Sequence, residues 1–123
     1  MDRPGGDERR HIEIDQLNGL IAAAGVDGAR EILDAFWKST EELLDLMSTQ
    51  VNEGDLALAA KTAHALKGMA ANVGASKLSA TASEMEEACR NNEAGGAPDH
   101  MREARADFEA ARGWLLEHLK QAS

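Results

Sequence analysis

Apolar residues recur at helical spacing along most of this chain. From Leu56 to Val73 they stand three or four residues apart, and four other segments repeat that spacing. Almost no stretch alternates in the period-2 pattern of strands, so the sequence predicts an all-α protein. The positions expected to face inward are Leu17, Leu20 and Ile21; Leu33, Phe36, Thr40, Leu43, Leu44, Met47 and Val51; Leu56, Ala60, Ala63, Leu66, Ala70 and Val73; Leu78, Ala82, Met85 and Cys89; and Met101, Ala104, Phe108, Ala111, Leu115 and Leu119.

Turn and capping residues divide this pattern into helices. The expected boundaries are an end at Gly25, a helix from Asp27 to Gly54, a helix capped by Asp55 that ends before Gly74, a helix with Ser76 as N-cap, and a last helix from Pro98 to Lys120. Four long amphipathic helices with short loops predict an antiparallel up-down four-helix bundle, with a short additional N-terminal helix. We expect this domain to span residues 12–123, and residues 1–11 to form a disordered tail.

Composition and charge narrow the possible partners and locations. The 123 residues suit one domain, and a hydrophobic fraction of 43% permits a packed core. A net charge of −9 disfavours a nucleic-acid partner, because phosphate backbones require a basic face. No apolar run approaches the ~18 residues of a membrane helix. With Cys89 as the single cysteine, a disulfide framework is absent, and we expect a monomeric cytoplasmic protein that does not bind membranes.

The segment KTAHALKGMAANVGASKL, residues 61–78, holds the candidate chemistry. His64 lies off the apolar stripe at about 100° per residue, so its imidazole should be exposed. Lys67 and Gly68 follow at three and four residues, which places them on neighbouring surface. The same strip is expected to include Ala57, Lys61, Ala71 and Ala75. The sequence therefore predicts an imidazole beside a cation on a surface of small residues.

Such a surface suits phosphoryl transfer to a protein partner. A neutral imidazole is a good nucleophile near pH 7. Phosphoryl transfer requires in-line positioning and nearby positive charge more than a deep pocket. Lys67 can balance phosphoryl charge, and the bare backbone of Gly68 gives a partner access to His64.

The same residues match a family motif. The run His64, Leu66, Lys67, Gly68, Ala70, Gly74 and Leu78 resembles the motif of the histidine-containing phosphotransfer (HPt) domain. The resemblance implies that His64 carries a phosphoryl group on Nε2, exchanged with the aspartate of a response-regulator receiver domain. It implies that the receiver brings the acidic pocket and Mg²⁺, so this chain needs no cofactor of its own. A sensor or hybrid histidine kinase is a further implied partner.

The resemblance also implies a side chain on the following helix that orients the imidazole. The exposed face expected there offers Glu86 as a partner for Nδ1–H, with Arg90 one turn later, and both could equally form an ordinary surface pair. We expect both residues to belong to the partner-binding surface. No ATP-binding segment is visible, so the chain is expected to be a phosphocarrier without catalytic turnover of its own.

The sequence leaves two classes of function open. The alternative to phosphotransfer is a phosphate-free adaptor bundle that binds a signalling partner through the same helix pair. His11, His100 and His118 show no metal-ligand spacing with one another, so no metal site is expected. Cys89 lies on an inward stripe and is expected to pack in the core.

Overall fold

Four α-helices make up nearly all of the part of the chain that is described, residues 14–122 of a computed structural model. They are α1 (Ile14–Asn52), α2 (Leu56–Asn72), α3 (Ser76–Arg90) and α4 (Ala97–Ala122), with a 3-10 turn at Ala94–Gly96 before α4. Residues 14–122 contain no β-strand, so the all-α prediction is confirmed. The tail predicted at residues 1–11 lies outside the described residues.

A break at Gly25 divides α1 into two helical segments. The backbone of Gly25 has φ +77° and ψ 169°, which no helix accommodates and which glycine adopts without a steric penalty. Residues 14–24 therefore form the short additional helix that the sequence predicts. Two side-chain contacts hold it against one end of the bundle: Gln16 Nε2 donates to the Asn72 carbonyl at 3.4 Å, and Asn18 Oδ1 lies 3.1 Å from His118 Nε2.

Three helices end in the same left-handed turn. Gly54, Gly74 and Asn92 follow α1, α2 and α3 with φ of +77°, +83° and +59°. In each case the next residue donates its N–H across the last turn of the helix, which satisfies carbonyls that would otherwise lack a partner. These bonds are Asp55 N–H to Gln50 C=O, Ala75 N–H to Ala70 C=O and Glu93 N–H to Ala88 C=O, each 2.8 Å long. The connections after α1 and α2 are three residues long, and the connection after α3, which includes the 3-10 turn, is six residues long.

The predicted N-cap residue is confirmed for α2 and is wrong for α3. Asp55 caps α2 as predicted, accepting a hydrogen bond from the backbone N–H of Leu58 at 3.3 Å. The prediction of Ser76 as the N-cap of α3 is wrong, because Ala75 occupies that position and Ser76 is the first helical residue. The short turn at Gly74 starts α3 one residue earlier than the capping pattern suggests.

The helices form a closed ring around one core. Each packs against the helices before and after it in the chain, and α1 packs against α4. Because the connections are short, consecutive helices run antiparallel, and the up-down four-helix bundle is confirmed. Every position predicted to face inward is buried or half-buried. Within residues 14–122, no helix combines the length and the apolar run needed to cross a bilayer.

The pair α2 and α3 is the most closely associated in the bundle. The buried face of α2 carries small side chains, among them Ala59, Ala60, Ala63 and Ala70, and such residues permit close helix approach. Ser79 Oγ also donates to the backbone carbonyl of Lys67 at 3.0 Å. This contact fixes α3 against α2 in the middle of the segment that the sequence singled out.

Gly74→Ala should destabilise the protein by about 1–2 kcal/mol, because a Cβ is strained at a φ of +83°. Urea unfolding at pH 7 measures the change. Gly113→Ala is the matched control, because Gly113 lies inside α4 with open space around it and should gain up to about 1 kcal/mol in helix propensity. An unfolding midpoint for Gly74→Ala equal to that of the native chain would contradict the role of this turn.

Candidate functional site

His64 stands on the outer face of α2, as its helical phase predicts. Its side chain is 63% exposed. Gly68 follows one turn later and is also exposed, and a Cβ added there would meet no heavy atom of the described residues within 4 Å. The surface beside the imidazole is therefore open to a partner, and a larger residue at position 68 would fit the fold while occupying that surface.

The Glu86 carboxylate from α3 organises the site. Its Oε2 lies 3.0 Å from His64 Nδ1 and 2.5 Å from Arg90 Nη2, and its Oε1 accepts a hydrogen bond from Lys67 Nζ at 3.0 Å. This is the Nδ1 contact that the resemblance implies. One carboxylate thus binds an imidazole and two cations at once.

The exposed position predicted for Glu86 is wrong. Its side chain is only 5% exposed, because the close packing of α3 against α2 covers it with His64 and Lys67. A partner cannot contact Glu86 extensively, so this residue acts on the site by holding His64 and Lys67 in position. Arg90, with 67% of its side chain exposed, covers the outer edge of the same carboxylate and remains available to a partner.

The ionisation of Glu86 determines the tautomer of His64. Burial would raise the pKa of Glu86, but the hydrogen bond from Lys67, the charges of Arg90 and Lys67 and the contact with His64 together lower that pKa below its usual value of 4.5. The carboxylate is therefore ionised at neutral pH and can only accept hydrogen bonds. Nδ1 must carry the ring proton, which leaves the lone pair of a neutral imidazole on Nε2.

The cluster carries an excess of positive charge. Lys67 and Arg90 contribute two cations against the single Glu86 carboxylate, so the site has a net charge of +1 with a neutral His64. The protein as a whole has a formal charge of −9. A dianionic phosphoryl group that approaches His64 therefore meets a local positive field on an otherwise acidic molecule.

The predicted strip along α2 is present, with one exception. Ala57, Lys61 and Ala71 are exposed on the same side as His64. The prediction that Ala75 extends this strip is wrong, because Ala75 is fully buried. Helix α2 ends at Asn72, so the helical progression of the strip stops before position 75, and the left-handed turn directs Ala75 into the core.

A shallow polar depression adjoins the imidazole and contains residues that sequence reasoning missed. It is lined by Lys67, Ser83, Glu86, Glu87, Arg90 and Asn91. Ser83 and Glu87 stand three residues before and one residue after Glu86 on α3. Once Glu86 is placed, the i, i+3 spacing of a helix would have identified Ser83 as its neighbour, as the i, i+4 spacing did for Arg90.

Two other reactive groups lie away from His64. Cys89 is buried, and burial raises the pKa of its thiol, which fits the packing role predicted for it. Glu84, His100 and Glu103 bring one ligand atom each to within 4.8 Å of one another, an arrangement the sequence analysis missed although His100 and Glu103 have H-x-x-E spacing. Lys77 Nζ lies 3.3 Å from Glu103 Oε2 and would compete with a cation there.

The low pKa of Glu86 predicts how stability varies with pH. Its contribution to the free energy of unfolding should be complete above the ordinary pKa of 4.5 and lost as the pH falls through the lower pKa of the folded state. Glu86→Gln should therefore be less stable than the native chain near pH 7 and more nearly equal to it near pH 3, as measured by urea unfolding. Glu84→Gln, an exposed neighbour on α3, is the control. An equal loss at both pH values would contradict the prediction.

Comparison with known proteins agrees with this geometry. The family described as the Hpt domain matches residues 31–114, more than half of the chain. The histidine-containing phosphotransfer protein B of Pseudomonas aeruginosa PAO1 is 27% identical, with a TM-score of 0.84 over 90% of this chain and 96% of that one.

A second solved structure is similar in fold. The protein from rice described as a putative histidine-containing phosphotransfer protein is 19% identical, with a TM-score of 0.81 over 93% of this chain and 83% of that one. A search of the curated proteins found no match. The family match and the site geometry around His64 together support histidine phosphotransfer, and the chain belongs to the Hpt domain family.

Proposed function

We propose that this protein is a phosphocarrier of a two-component phosphorelay. His64 accepts a phosphoryl group on Nε2 and exchanges it with the aspartate of a response-regulator receiver domain. The observation that carries this proposal is the exposed imidazole whose Nδ1 is held by a buried, ionised carboxylate. That contact points a nucleophilic lone pair toward solvent in a fixed tautomer, which a surface histidine without a partner does not have.

The chain's own residues supply position and charge. The Glu86 contact fixes the rotation of the ring, so Nε2 is presented in one direction for in-line attack. Lys67 and Arg90 bring positive charge next to the transferred group, whose negative charge spreads over its equatorial oxygens in the transition state. The histidine is consumed and regenerated in each cycle, so the chain acts as a carrier and has no turnover of its own.

The partner supplies what this site lacks. The aspartate of the receiver domain, the acidic pocket around it and its Mg²⁺ would complete the reaction centre at the interface with this chain. The net positive charge around His64 favours docking of such an acidic surface. A sensor or hybrid histidine kinase is the phosphoryl source in the same relay, through a receiver domain.

The docking surface follows from the exposed residues around the imidazole. It consists of Ala57, Lys61, His64, Lys67, Gly68 and Ala71 on α2, together with Arg90 on α3. Small residues on both sides of His64 let a partner backbone come close to Nε2. Lys61 and Arg90 stand at the edges of this surface, where exposed charges affect the association rate more than the final affinity.

The first test is phosphoryl transfer from a phosphorylated receiver domain. The native chain should take up acid-labile, base-stable phosphate, and His64→Gln should take up none while still binding the receiver. Radiolabel transfer measures uptake, and calorimetry with the receiver measures binding. If the native chain bound a receiver and took up no label, the phosphate-free adaptor would replace the carrier as the function.

Gly68→Gln tests access to the imidazole. A Cβ at position 68 meets no heavy atom of the described residues within 4 Å, so the variant should be at least as stable as the native chain, by up to about 1 kcal/mol in helix propensity. It should transfer phosphate at least tenfold more slowly, because bulk now lies where the partner approaches.

Gly113→Gln is the matched control for this experiment. Gly113 is also an exposed glycine inside a helix with open space around it, but it lies on α4 outside the docking surface. This variant should gain similar stability and transfer phosphate at the native rate. Equal transfer rates for the two glutamine variants would remove Gly68 from the mechanism.

A further inference from the structure

The group that holds His64 is charged, and this charge has a consequence for the phosphorylated protein. A neutral amide at position 86 could accept the same hydrogen bond from Nδ1–H and orient the ring equally well. Glu86 instead places an ionised oxygen 3.0 Å from Nδ1, with its side chain 5% exposed and thus largely shielded from water. A charge-assisted hydrogen bond of this kind favours the proton on Nδ1 more strongly than a neutral one.

The electron count shows why that proton matters. When the Nε2 lone pair forms the N–P bond, the acyl-phosphate O–P bond breaks and its electron pair leaves with the aspartate carboxylate. No proton needs to move, and the ring becomes cationic while Nδ1 keeps its hydrogen. On transfer away, the N–P electron pair returns to Nε2 and a neutral imidazole leaves. If Nδ1 had lost its proton, the leaving group would be an imidazolate anion, which leaves far more slowly.

The charges around the ring favour the reactive form. Before phosphorylation the cluster of Glu86, Lys67, Arg90 and neutral His64 carries +1. A phosphoryl dianion on a cationic ring adds −1, so the phosphorylated cluster is neutral. Loss of the Nδ1 proton would give the cluster a net charge of −1 and would replace the N–H donor that faces Glu86 Oε2 with a lone pair. That contact is unfavourable for a buried carboxylate, even though Lys67 and Arg90 still bind it.

Other charged groups near the ring also affect how strongly Nδ1 keeps its proton. Lys61 and Lys67 on α2 and Arg90 on α3 oppose a cationic ring, and Glu87 on α3 is exposed and solvated. Lys67 and Arg90 also share the Glu86 oxygens and so weaken its hold on Nδ1. On α1 and α4 the pair Asp45–Arg105 joins those two helices to each other, away from this site.

Resting on the proposed carrier function, we infer that Glu86 is a positioning residue that keeps the Nδ1 proton on phosphorylated His64 and thereby keeps the phosphoryl group labile. Phosphorylated His64 should then remain a fast donor, to an aspartate or to water, at pH values where an amide at position 86 would already give a long-lived form.

The experiment loads His64 without a protein partner. Phosphoramidate, a small phosphoryl donor that modifies histidines, labels the native chain, Glu86→Gln and Arg90→Gln, with His64→Gln reporting label on other histidines. The decay of the phosphorylated protein is followed by intact mass from about pH 5 to 10, and the ¹⁵N shift of Nδ1 reports its protonation directly. Glu84→Gln controls for removal of one exposed negative charge on α3.

The two site variants should change the pH profile in opposite directions. In Glu86→Gln the rise in lifetime should begin about one pH unit lower than in the native protein, corresponding to roughly tenfold weaker retention of the proton. In Arg90→Gln, the Glu86 carboxylate no longer contacts the Arg90 cation, so the rise in lifetime should begin at a higher pH than in the native protein. Glu84→Gln should follow the native profile, because exposed charges are screened.

The outcomes separate this inference from the proposed function. Coincident profiles and Nδ1 shifts for the native chain and Glu86→Gln would overturn the inference, even if receiver domains still transfer phosphate to His64. Opposite shifts in the two variants would support it, even if no receiver tested were a partner, because phosphoramidate labelling does not depend on one. If Glu86 had a purely structural role, Glu86→Gln would lower the stability of the protein without moving the pH at which the lifetime of the phosphorylated form rises. This result would also overturn the inference.

Discussion

The site depends on one buried carboxylate that three groups share. Glu86 would be costly to bury alone, since an isolated charge away from water loses several kcal/mol of hydration. Contacts from His64, Lys67 and Arg90 offset that cost, and each of these groups is in turn held in place. The orientation of the imidazole, its tautomer and the surplus positive charge at the surface all follow from this arrangement. An exposed glutamate could not provide the same order, because water would compete for every contact.

The packing of α2 against α3 makes this burial possible. Alanines on the inner face of α2 allow the two helices to pack closely, and the hydrogen bond from Ser79 Oγ to the Lys67 carbonyl fixes the position of one helix along the other. Met85, one residue before Glu86, faces the core, so Glu86 itself lies at the border between the two helices. Helices α1 and α4 complete the core behind this pair, and none of their described side chains contacts Glu86 in the cluster around His64.

Sequence alone predicted the fold and the centre of the site well. Every position that helical periodicity predicted to face inward is buried or half-buried, although the pattern missed other buried residues such as Ala29, Trp37 and Ala59. The phase of His64 relative to the stripe of α2 predicted its exposure. The two errors within the site have a common cause. Glu86 and Ala75 were both assigned from the periodicity of a single helix, whereas the burial of Glu86 depends on a neighbouring helix and that of Ala75 on a turn. The same limit hid Ser83 and the cluster of Glu84 with His100 and Glu103, because contacts between helices are not visible in one helix's pattern.

The tight turn at Gly74 has a consequence for how the protein reaches its folded state. All residues of the cluster lie on two consecutive helices, within residues 64–90, and the turn between those helices is only three residues long. Contacts of such short sequence separation require little loop-closure entropy. The α2–α3 hairpin can therefore bring His64 and Glu86 together before α1 and α4 dock, and folding of this family member should be fast for its size, since its contacts are predominantly local.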